Sequence, residues 1–254
     1  MLPVRAGAVV IALVFVLVCP TLARADNTTL ANAYSSIIGH RHVDVLEPAG
    51  TPGDIGYFAY NLTAGRSYSA FCLQPSIDAG GDCAVDIRDS SDVSIDVGAN
   101  TEPFPDLGDV DAAVISTSGT YYVRVANSLS VPAATYVVLI ETTLFSPWYF
   151  VQSASAYDGY VTIRNNTPAL LSVTLTAYTN TGSLAGTTTV SIPGNGNTFV
   201  ALGSTFGITS GFGSAAIVHN GPVAAIAANL TTLSPTTGLS FDAPFTARMG
   251  LAVF

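Results

Sequence analysis

Residues 83–89 read Cys-Ala-Val-Asp-Ile-Arg-Asp, and this stretch decides the fold class. Its apolar and polar residues alternate, which is the period of a β-strand with one buried face and one solvated face. The same period returns in residues 121–125, Tyr-Tyr-Val-Arg-Val, and more loosely in residues 56–62. Polar turn segments separate these stretches at 63–65, 89–92 and 118–119. Short strands joined by polar turns predict an all-β protein built as an antiparallel sandwich.

Charge is distributed unevenly along the chain. Residues 26–145 carry a net charge of −11, whereas residues 146–254 carry a net charge of zero. The change falls near Ser146-Pro147, which is the best domain boundary that the sequence offers. Each part has the ordinary length of one domain with its own core. The sequence therefore predicts two tandem antiparallel β-sandwiches, an acidic one over residues 26–145 and a neutral one over residues 146–254.

The first 25 residues have the pattern of a secretory signal peptide. Arg5 precedes an apolar run over residues 6–18, and Ala23-Arg24-Ala25 supplies the small residues of a cleavage site. Acylation of Cys19 is the alternative, and it is disfavoured because a bulky Val precedes that cysteine. Later apolar runs are only strand-sized, so no membrane span is expected after leader removal. The sequence predicts a secreted protein, extracellular or at the cell surface.

The overall charge restricts the class of partner. The chain has 17 Asp and Glu against eight Arg and no Lys, a net charge of −9. Nucleic acid and anionic membrane surfaces both require a basic face, so neither is expected as a partner. Extracellular proteins and polysaccharides remain as partner classes.

Cysteine usage agrees with export. Cys72 and Cys83 are the pair left after leader removal, and they flank a loop rich in Pro, Asp and Gly. Two free buried thiols are the alternative reading. In an oxidising compartment the pair predicts a disulfide that closes the loop.

The acidic part carries a family resemblance. The residues concerned are the blocks 53–58, 62–68, 83–89 and 118–125, which cover most of residues 43–142 in the same order. They resemble the bacterial pre-peptidase C-terminal (PPC) domain. The resemblance implies a jelly-roll-like β-sandwich that serves as an accessory module on secreted proteases and other exported proteins. It also implies a fold similar to that of calcium-dependent collagen-binding modules, although Gly56 stands where the family usually has a second acidic residue.

Calcium is the one cofactor that these observations favour. Calcium prefers oxygen ligands, and loops rich in Asp supply them as carboxylate groups. The candidate ligands are the carboxylates of Asp54, Asp86, Asp89, Asp109 and Asp111. The alternative is that these side chains form a solvated surface that keeps the protein soluble.

Catalytic patterns are weak. No Ser lies in a Gly-x-Ser-x-Gly elbow, and the three histidines are His40, His42 and His219. His40 and His42 would lie on one face of a strand as a possible metal pair, but no Glu-x-x-His pattern accompanies them. An exposed strand edge is the favoured interpretation of that segment. No catalytic residue is predicted, and the protein is not expected to be an enzyme.

The neutral part also has a β pattern. Strands are predicted at 159–164, 171–178, 187–192 and 214–218, with turns at 193–197 and 219–222. About seven strands in a hundred residues predict an immunoglobulin-like sandwich. This part resembles secreted bacterial β-sandwich modules of unknown role.

Aromatic residues offer another route to binding, because rings of Trp148-Tyr149-Phe150 and of Tyr121-Tyr122 could stack on a sugar or peptide. Rings on strands are usually part of a core, and packing of Trp148 at the junction between the modules is the favoured expectation. These residues alone do not predict a glycan site.

These expectations combine into a functional hypothesis. The favoured function is that of an exported, non-enzymatic binding, stalk or accessory module outside the cell. One alternative is an accessory subunit or inhibitor of a secreted protease. The other alternative is a small secreted hydrolase that uses carboxylates of the acidic part.

Overall fold

A computed structural model describes residues 27–74, 83–95 and 108–247. The predicted signal peptide, residues 1–25, lies outside the described residues. The described chain is all-β: its strands form four sheets, and one short α-helix accompanies them. The elements are β1 Tyr34–Ser35, β2 Arg41–Leu46, β3 Ile55–Leu62, β4 Arg66–Leu73, β5 Cys83–Arg88, β6 Gly108–Ile115, β7 Gly119–Asn127, β8 Ala133–Glu141, β9 Leu144–Gln152, β10 Asp158–Asn165, β11 Leu171–Thr179, β12 Leu184–Ile192, β13 Asn197–Ala201, α1 Leu202–Phe206, β14 Ser210–His219, β15 Ile226–Ser234, β16 Leu239–Pro244 and β17 Thr246–Ala247.

The first sandwich has a jelly-roll-like topology. One sheet has the strand order β1-β3-β7-β5, and the facing sheet has the order β2-β8-β4-β6. From β2 to β8 the chain changes sheets at every connection, and β2 lies beside β8. All pairs in these two sheets are antiparallel except that between β1 and β3. The predicted antiparallel sandwich is therefore confirmed for this part of the chain.

The second sandwich shares two strand adjacencies with immunoglobulin domains, whereas its first and seventh strands pair differently, β9 with β14 and β15 with β10. One sheet has the order β12-β11-β14-β9-β17, and the other has the order β13-β10-β15-β16. Counting from β9, the second strand lies beside the fifth in one sheet and the third lies beside the sixth in the other. These are the adjacencies of strands B and E and of strands C and F in immunoglobulin domains.

Each sandwich has its own hydrophobic core, and the two cores share no residue. The first core is built around Phe58, Tyr68 and Leu139, and the second around Leu175 and Ile217. Inward positions alternate with solvated ones along the strands, as along β11, where every second side chain from Leu171 to Ala177 is buried. The predicted boundary between residues 145 and 146 falls inside β9, and independent folding of the two parts stays a prediction.

The connection between the sandwiches is short and buried. Only Thr142 and Thr143 separate β8 from β9. The Thr142 N–H donates to the carbonyl of Ser67 at 2.8 Å, and the Ser67 N–H donates to Thr143 Oγ1 at 2.9 Å. On the other side, His219 Nε2 lies 3.2 Å from the carbonyl oxygen of Thr142. Both sandwiches therefore hydrogen-bond the connecting residues.

A further contact lies beside this connection. The guanidinium of Arg66 pairs with Glu141 at 2.6 Å and lies 4.6 Å from the centre of the Phe145 ring. Arg66 belongs to the first sandwich, whereas Phe145 belongs to β9 of the second. The two residues line a cavity of about 490 Å³ at the junction, which also includes Tyr178 and Ala247.

Candidate functional site

The predicted Cys72–Cys83 disulfide is confirmed. Cys72 lies near the end of β4 and Cys83 begins β5, with 6.1 Å between their Cα atoms. Because β4 and β5 belong to facing sheets, the bond joins the two layers of the first sandwich. The sequence predicted that the disulfide closes the loop between Cys72 and Cys83. The structure adds that the bond also connects the two sheets of the first sandwich.

Asp109 and Asp111 lie on β6 and face the free edge of β5. Asp109 Oδ2 accepts the Val85 N–H at 3.0 Å, and Asp111 Oδ2 accepts the Ile87 N–H at 2.6 Å. Among the described strands, β5 pairs with β7, and on its other side Arg88 forms an isolated bridge with Ser94. The two carboxylates take the place of ladder partners for the Val85 and Ile87 N–H groups. The two carboxylates therefore close one open side of the sandwich, which is a structural role for residues predicted as calcium ligands.

The other predicted calcium ligands are engaged locally. Asp54 accepts the Gly50 N–H at 2.7 Å. Asp86 pairs with Arg88 at 2.6 Å, and Asp89 accepts two N–H groups of the turn that follows it. Among the described residues, no group of three or more His, Cys, Asp and Glu side chains could hold a metal ion. Calcium binding at these five carboxylates stays a prediction.

A cluster of aromatic rings covers part of the second sandwich. It consists of Trp148 and Phe150 on β9, Phe212 on β14, Phe241 on β16 and the neighbouring Tyr157, and we call it the aromatic surface. The ring planes of Trp148 and Phe150 are within 4° of parallel, with centroids 6.2 Å apart. Phe212 lies directly opposite Phe150 in the β9–β14 register. Trp148, Phe212 and Phe241 are 38%, 49% and 53% exposed, so the surface is open to solvent.

A β-bulge places Trp148 on this surface. Between two regular pairs of β9 and β14, Pro147 and Trp148 on β9 oppose the single residue Ser214. Proline has no N–H for the ladder, and a bulge redirects the side chains beside it. Gly213 next to the bulge allows the close approach of β11, because a Cβ there would lie 1.8 Å from the carbonyl oxygen of Tyr178. The expectation that Trp148 packs between the modules is therefore wrong, because its side chain is exposed on the second sandwich.

A cleft of about 360 Å³ adjoins the aromatic surface. Trp148 and Phe212 contribute apolar lining, while Thr179, Asn180 and Ser214 contribute hydroxyl and amide groups. All the residues that line it are uncharged. An uncharged cleft with a few hydrogen-bonding groups beside exposed rings can hold a neutral polar molecule that has apolar faces.

The histidines occupy two different settings. His40 directly precedes β2 and His42 lies within it. His40 Nδ1 is 3.3 Å from His42 Nε2, and Ser36 Oγ contacts the same His42 nitrogen. Burial and the neighbouring His40 lower the pKa of His42, and Asp44 partly opposes that effect. His219 is buried, and burial lowers its pKa to about 4 against the opposing effect of its backbone hydrogen bonds.

Comparison with known proteins adds little to this geometry. No family model matches the chain, and no curated protein does so either. The chain is similar to β-glucuronidase from Bacteroides uniformis at 13% identity and a TM-score of 0.20, covering 76% of this chain and 26% of that one. It is similar to β-glucuronidase from Parabacteroides merdae at 13% identity and a TM-score of 0.20, covering 76% and 28%. The chain spans about a quarter of the length of these enzymes, and similarity at this level carries no argument about activity.

Within the described ranges, no helix has the length and apolar character needed to cross a membrane. The inter-sheet disulfide is compatible with a secreted protein.

Proposed function

We propose that the protein is an exported, non-enzymatic binding module that binds a neutral polysaccharide on the aromatic surface of its second sandwich. The observation that carries the proposal is the parallel pair Trp148 and Phe150, extended by the exposed rings of Phe212 and Phe241. Monomeric proteins rarely leave several large rings together in solvent without a function for them. Such rings are suited to the apolar faces of sugar rings.

The polar surroundings favour a neutral ligand over a charged one. Thr179, Asn180 and Ser214 in the adjoining cleft can exchange hydrogen bonds with sugar hydroxyls, and no ionic group lines that cleft. A strongly charged ligand would lose its hydration there without gaining a counter-charge. A polysaccharide is also among the partner classes that the chain's charge permits.

Export is part of the proposal. It is supported by the signal-peptide pattern of residues 1–25 and by the Cys72–Cys83 disulfide, since such bonds persist in oxidising compartments. The PPC-like sequence blocks favour an accessory role for the first sandwich. The two alternative hypotheses, a protease accessory subunit or inhibitor and a secreted hydrolase, stay predictions.

Depletion assays on insoluble and gel-immobilised polysaccharides test the proposal. The purified protein is incubated with cellulose, xylan, β-1,3-glucan and starch, and the unbound fraction is measured. We expect binding to at least one of these neutral polymers, and we expect Trp148→Ala to weaken it at least about tenfold, since loss of an aromatic anchor costs 2 kcal/mol or more.

Phe199→Ala provides the matched control. Phe199 is 59% exposed on β13 and stacks on Tyr160 with ring centroids 5.2 Å apart, and neither residue belongs to the aromatic surface. This variant loses a ring that is even more exposed than Trp148 but lies outside the proposed site, so its binding should equal that of the parent protein. Equal loss of binding in the two variants would refute a specific site at Trp148. Equal retention of the parent protein by the neutral polymers and by charged beads without polysaccharide would refute it as well.

A further inference from the structure

The first sandwich has a second open side, opposite the one that Asp109 and Asp111 close. There β1, the edge strand of one sheet, lies near β2, the edge strand of the other. Ser36 follows β1, and its N–H donates to the carbonyl of Ala59 on β3 at 2.8 Å. His40 precedes β2 and His42 lies within it. Three side chains with nitrogen or oxygen ligand atoms, those of Ser36, His40 and His42, therefore converge within one short segment of the chain.

The two imidazoles have the spacing of a metal-binding pair. His40 Nδ1 and His42 Nε2 are 3.3 Å apart, and the ring centroids are 4.6 Å apart. Two nitrogens, each about 2.0–2.1 Å from one tetrahedral ion, are separated by about 3.3–3.4 Å. We propose that His40 and His42 together bind one Zn²⁺ ion or a similar divalent transition-metal ion.

Hydroxyl groups at the same place are available to complete the coordination. Ser36 Oγ contacts the His42 Nε2 atom that would face the ion. The hydroxyl of Tyr60, a residue only 1% exposed, lies beside Ser36 without a well-formed hydrogen bond. A buried hydroxyl without a well-formed hydrogen bond is unusual in a folded protein. It gives a second observation, independent of the histidine pair, that points to a ligand at this position.

The surroundings hold the site in shape. His42 packs on the ring of Phe58, with centroids 4.8 Å apart. Asp44 follows on the same inward face of β2, and its carboxylate accepts a hydrogen bond from the Asn27 side chain at 3.0 Å. Its negative charge favours a bound cation without being a direct ligand.

The ligand chemistry separates this site from the predicted calcium site. Imidazole nitrogen suits zinc, copper and nickel, whereas calcium takes oxygen ligands. The inference does not rest on polysaccharide binding, because the histidine pair and the aromatic surface lie on different sandwiches.

Calorimetric titration of the purified protein, made without a histidine tag, tests the inference with Zn²⁺ alone. We expect one equivalent to bind, and Co²⁺ to give the visible absorption of a nitrogen-ligated site. Loss of even an outer-shell partner typically weakens metal affinity about 10- to 100-fold. His40→Gln, which removes a direct ligand at an exposed position, should weaken Zn²⁺ binding at least as much.

Arg41→Gln serves as the control, because Arg41 lies between the two histidines and points to the outer face of β2. Its Zn²⁺ affinity should equal that of the parent protein. His42→Gln should lose binding as His40→Gln does, with circular dichroism verifying that both variants are folded. Absence of Zn²⁺ binding by the parent, or unchanged affinity in folded His40→Gln, would overturn the proposal.

Discussion

His219 illustrates how one buried titratable residue couples pH to stability. The Gly221 N–H lies 3.2 Å from Nδ1 and can only donate, so Nδ1 is unprotonated. Nε2 therefore carries the proton and donates to the carbonyl of Thr142 at 3.2 Å. A second proton on Nδ1 would face the Gly221 N–H inside the protein. Burial lowers the pKa of His219 to about 4 against the opposing effect of its backbone hydrogen bonds, so the side chain is neutral in the folded protein at neutral pH.

We predict a loss of stability on mild acidification. The folded pKa of His219 is lowered from 6.5 to about 4, so the unfolded chain binds the proton first. The stabilisation is complete above pH 6.5 and is lost as the pH falls towards 4, by up to about 3 kcal/mol. Urea unfolding at pH 7 and pH 5 measures it. His219→Gln should flatten the dependence between these values, and an unchanged slope in a folded variant would contradict the assignment.

Asp111 carries a second prediction at this scale. Its buried carboxylate accepts the N–H groups of Ile87 and Ala112 at 2.6 and 2.7 Å. Asp111→Ala leaves the edge N–H of β5 without this acceptor and should lower the free energy of unfolding by about 1–3 kcal/mol. Asp111→Asn keeps an acceptor oxygen and should lose less. Equal stability of the alanine variant and the parent, measured by urea unfolding, would show that this contact contributes nothing.

Some single residues were predictable and others were not. The disulfide followed from the number of cysteines and from the predicted export, because few alternatives exist for two cysteines in an oxidising compartment. The roles of Asp109 and Asp111 did not follow, because a carboxylate that accepts backbone N–H groups and one that binds calcium look the same in a sequence. Which one occurs depends on whether β6 lies against the edge of β5, and that is a tertiary contact.

At the scale of elements, β9 joins the two halves of the molecule. Its Phe145 contacts Arg66 of the first sandwich, and its bulge at Pro147 exposes Trp148 on the second. The sequence placed a boundary inside this strand because the charge changes there. Charge follows solvent exposure along the surface, whereas strand ends follow hydrogen bonding, so the two need not coincide. Pro147 before a run of aromatic residues was the signal that could have predicted the bulge.

The disulfide between β4 and β5 gives an element-scale prediction. The residues are separated by 11 positions in the sequence, so the closed loop is short. Replacing Cys72 and Cys83 together by Ala should lower the free energy of unfolding by about 2–4 kcal/mol, because the unfolded chain regains the entropy that the bond removes. Urea unfolding of parent and variant under oxidising conditions measures the change. An unchanged midpoint would contradict the expected contribution of this bond between β4 and β5 to stability.

At the scale of the whole molecule, two separate cores predict two folding units. A fragment over residues 144–254 keeps all of β9, including the pairs that Leu144 and Phe145 form with β14 and β17. A fragment that begins at residue 147 loses those pairs. We expect the longer fragment to fold and to be the more stable of the two, as measured by thermal unfolding. Equal stability would contradict the placement of the boundary at the Thr142-Thr143 connection.

The sequence predicted the two-sandwich architecture well, because alternation along strands such as β5 and β11 depends only on one buried face. It did not predict the aromatic surface. Trp148 and Phe241 are far apart in the sequence, and they meet only because β9 and β16 lie at the same side of the second sandwich. Contacts between distant elements leave no periodic signal in a single sequence.

Fluorescence of Trp148 offers the most direct measurement of the central claim, because it is the chain's only tryptophan and lies within the proposed binding surface. Neutral oligosaccharides from the polymer that the protein binds are titrated into the parent, Phe212→Ala and Phe199→Ala. Our account predicts a saturable change in emission for the parent and Phe199→Ala, with at least about tenfold weaker affinity for Phe212→Ala. Emission that does not respond to a bound oligosaccharide, or equal affinities in all three proteins, would contradict it.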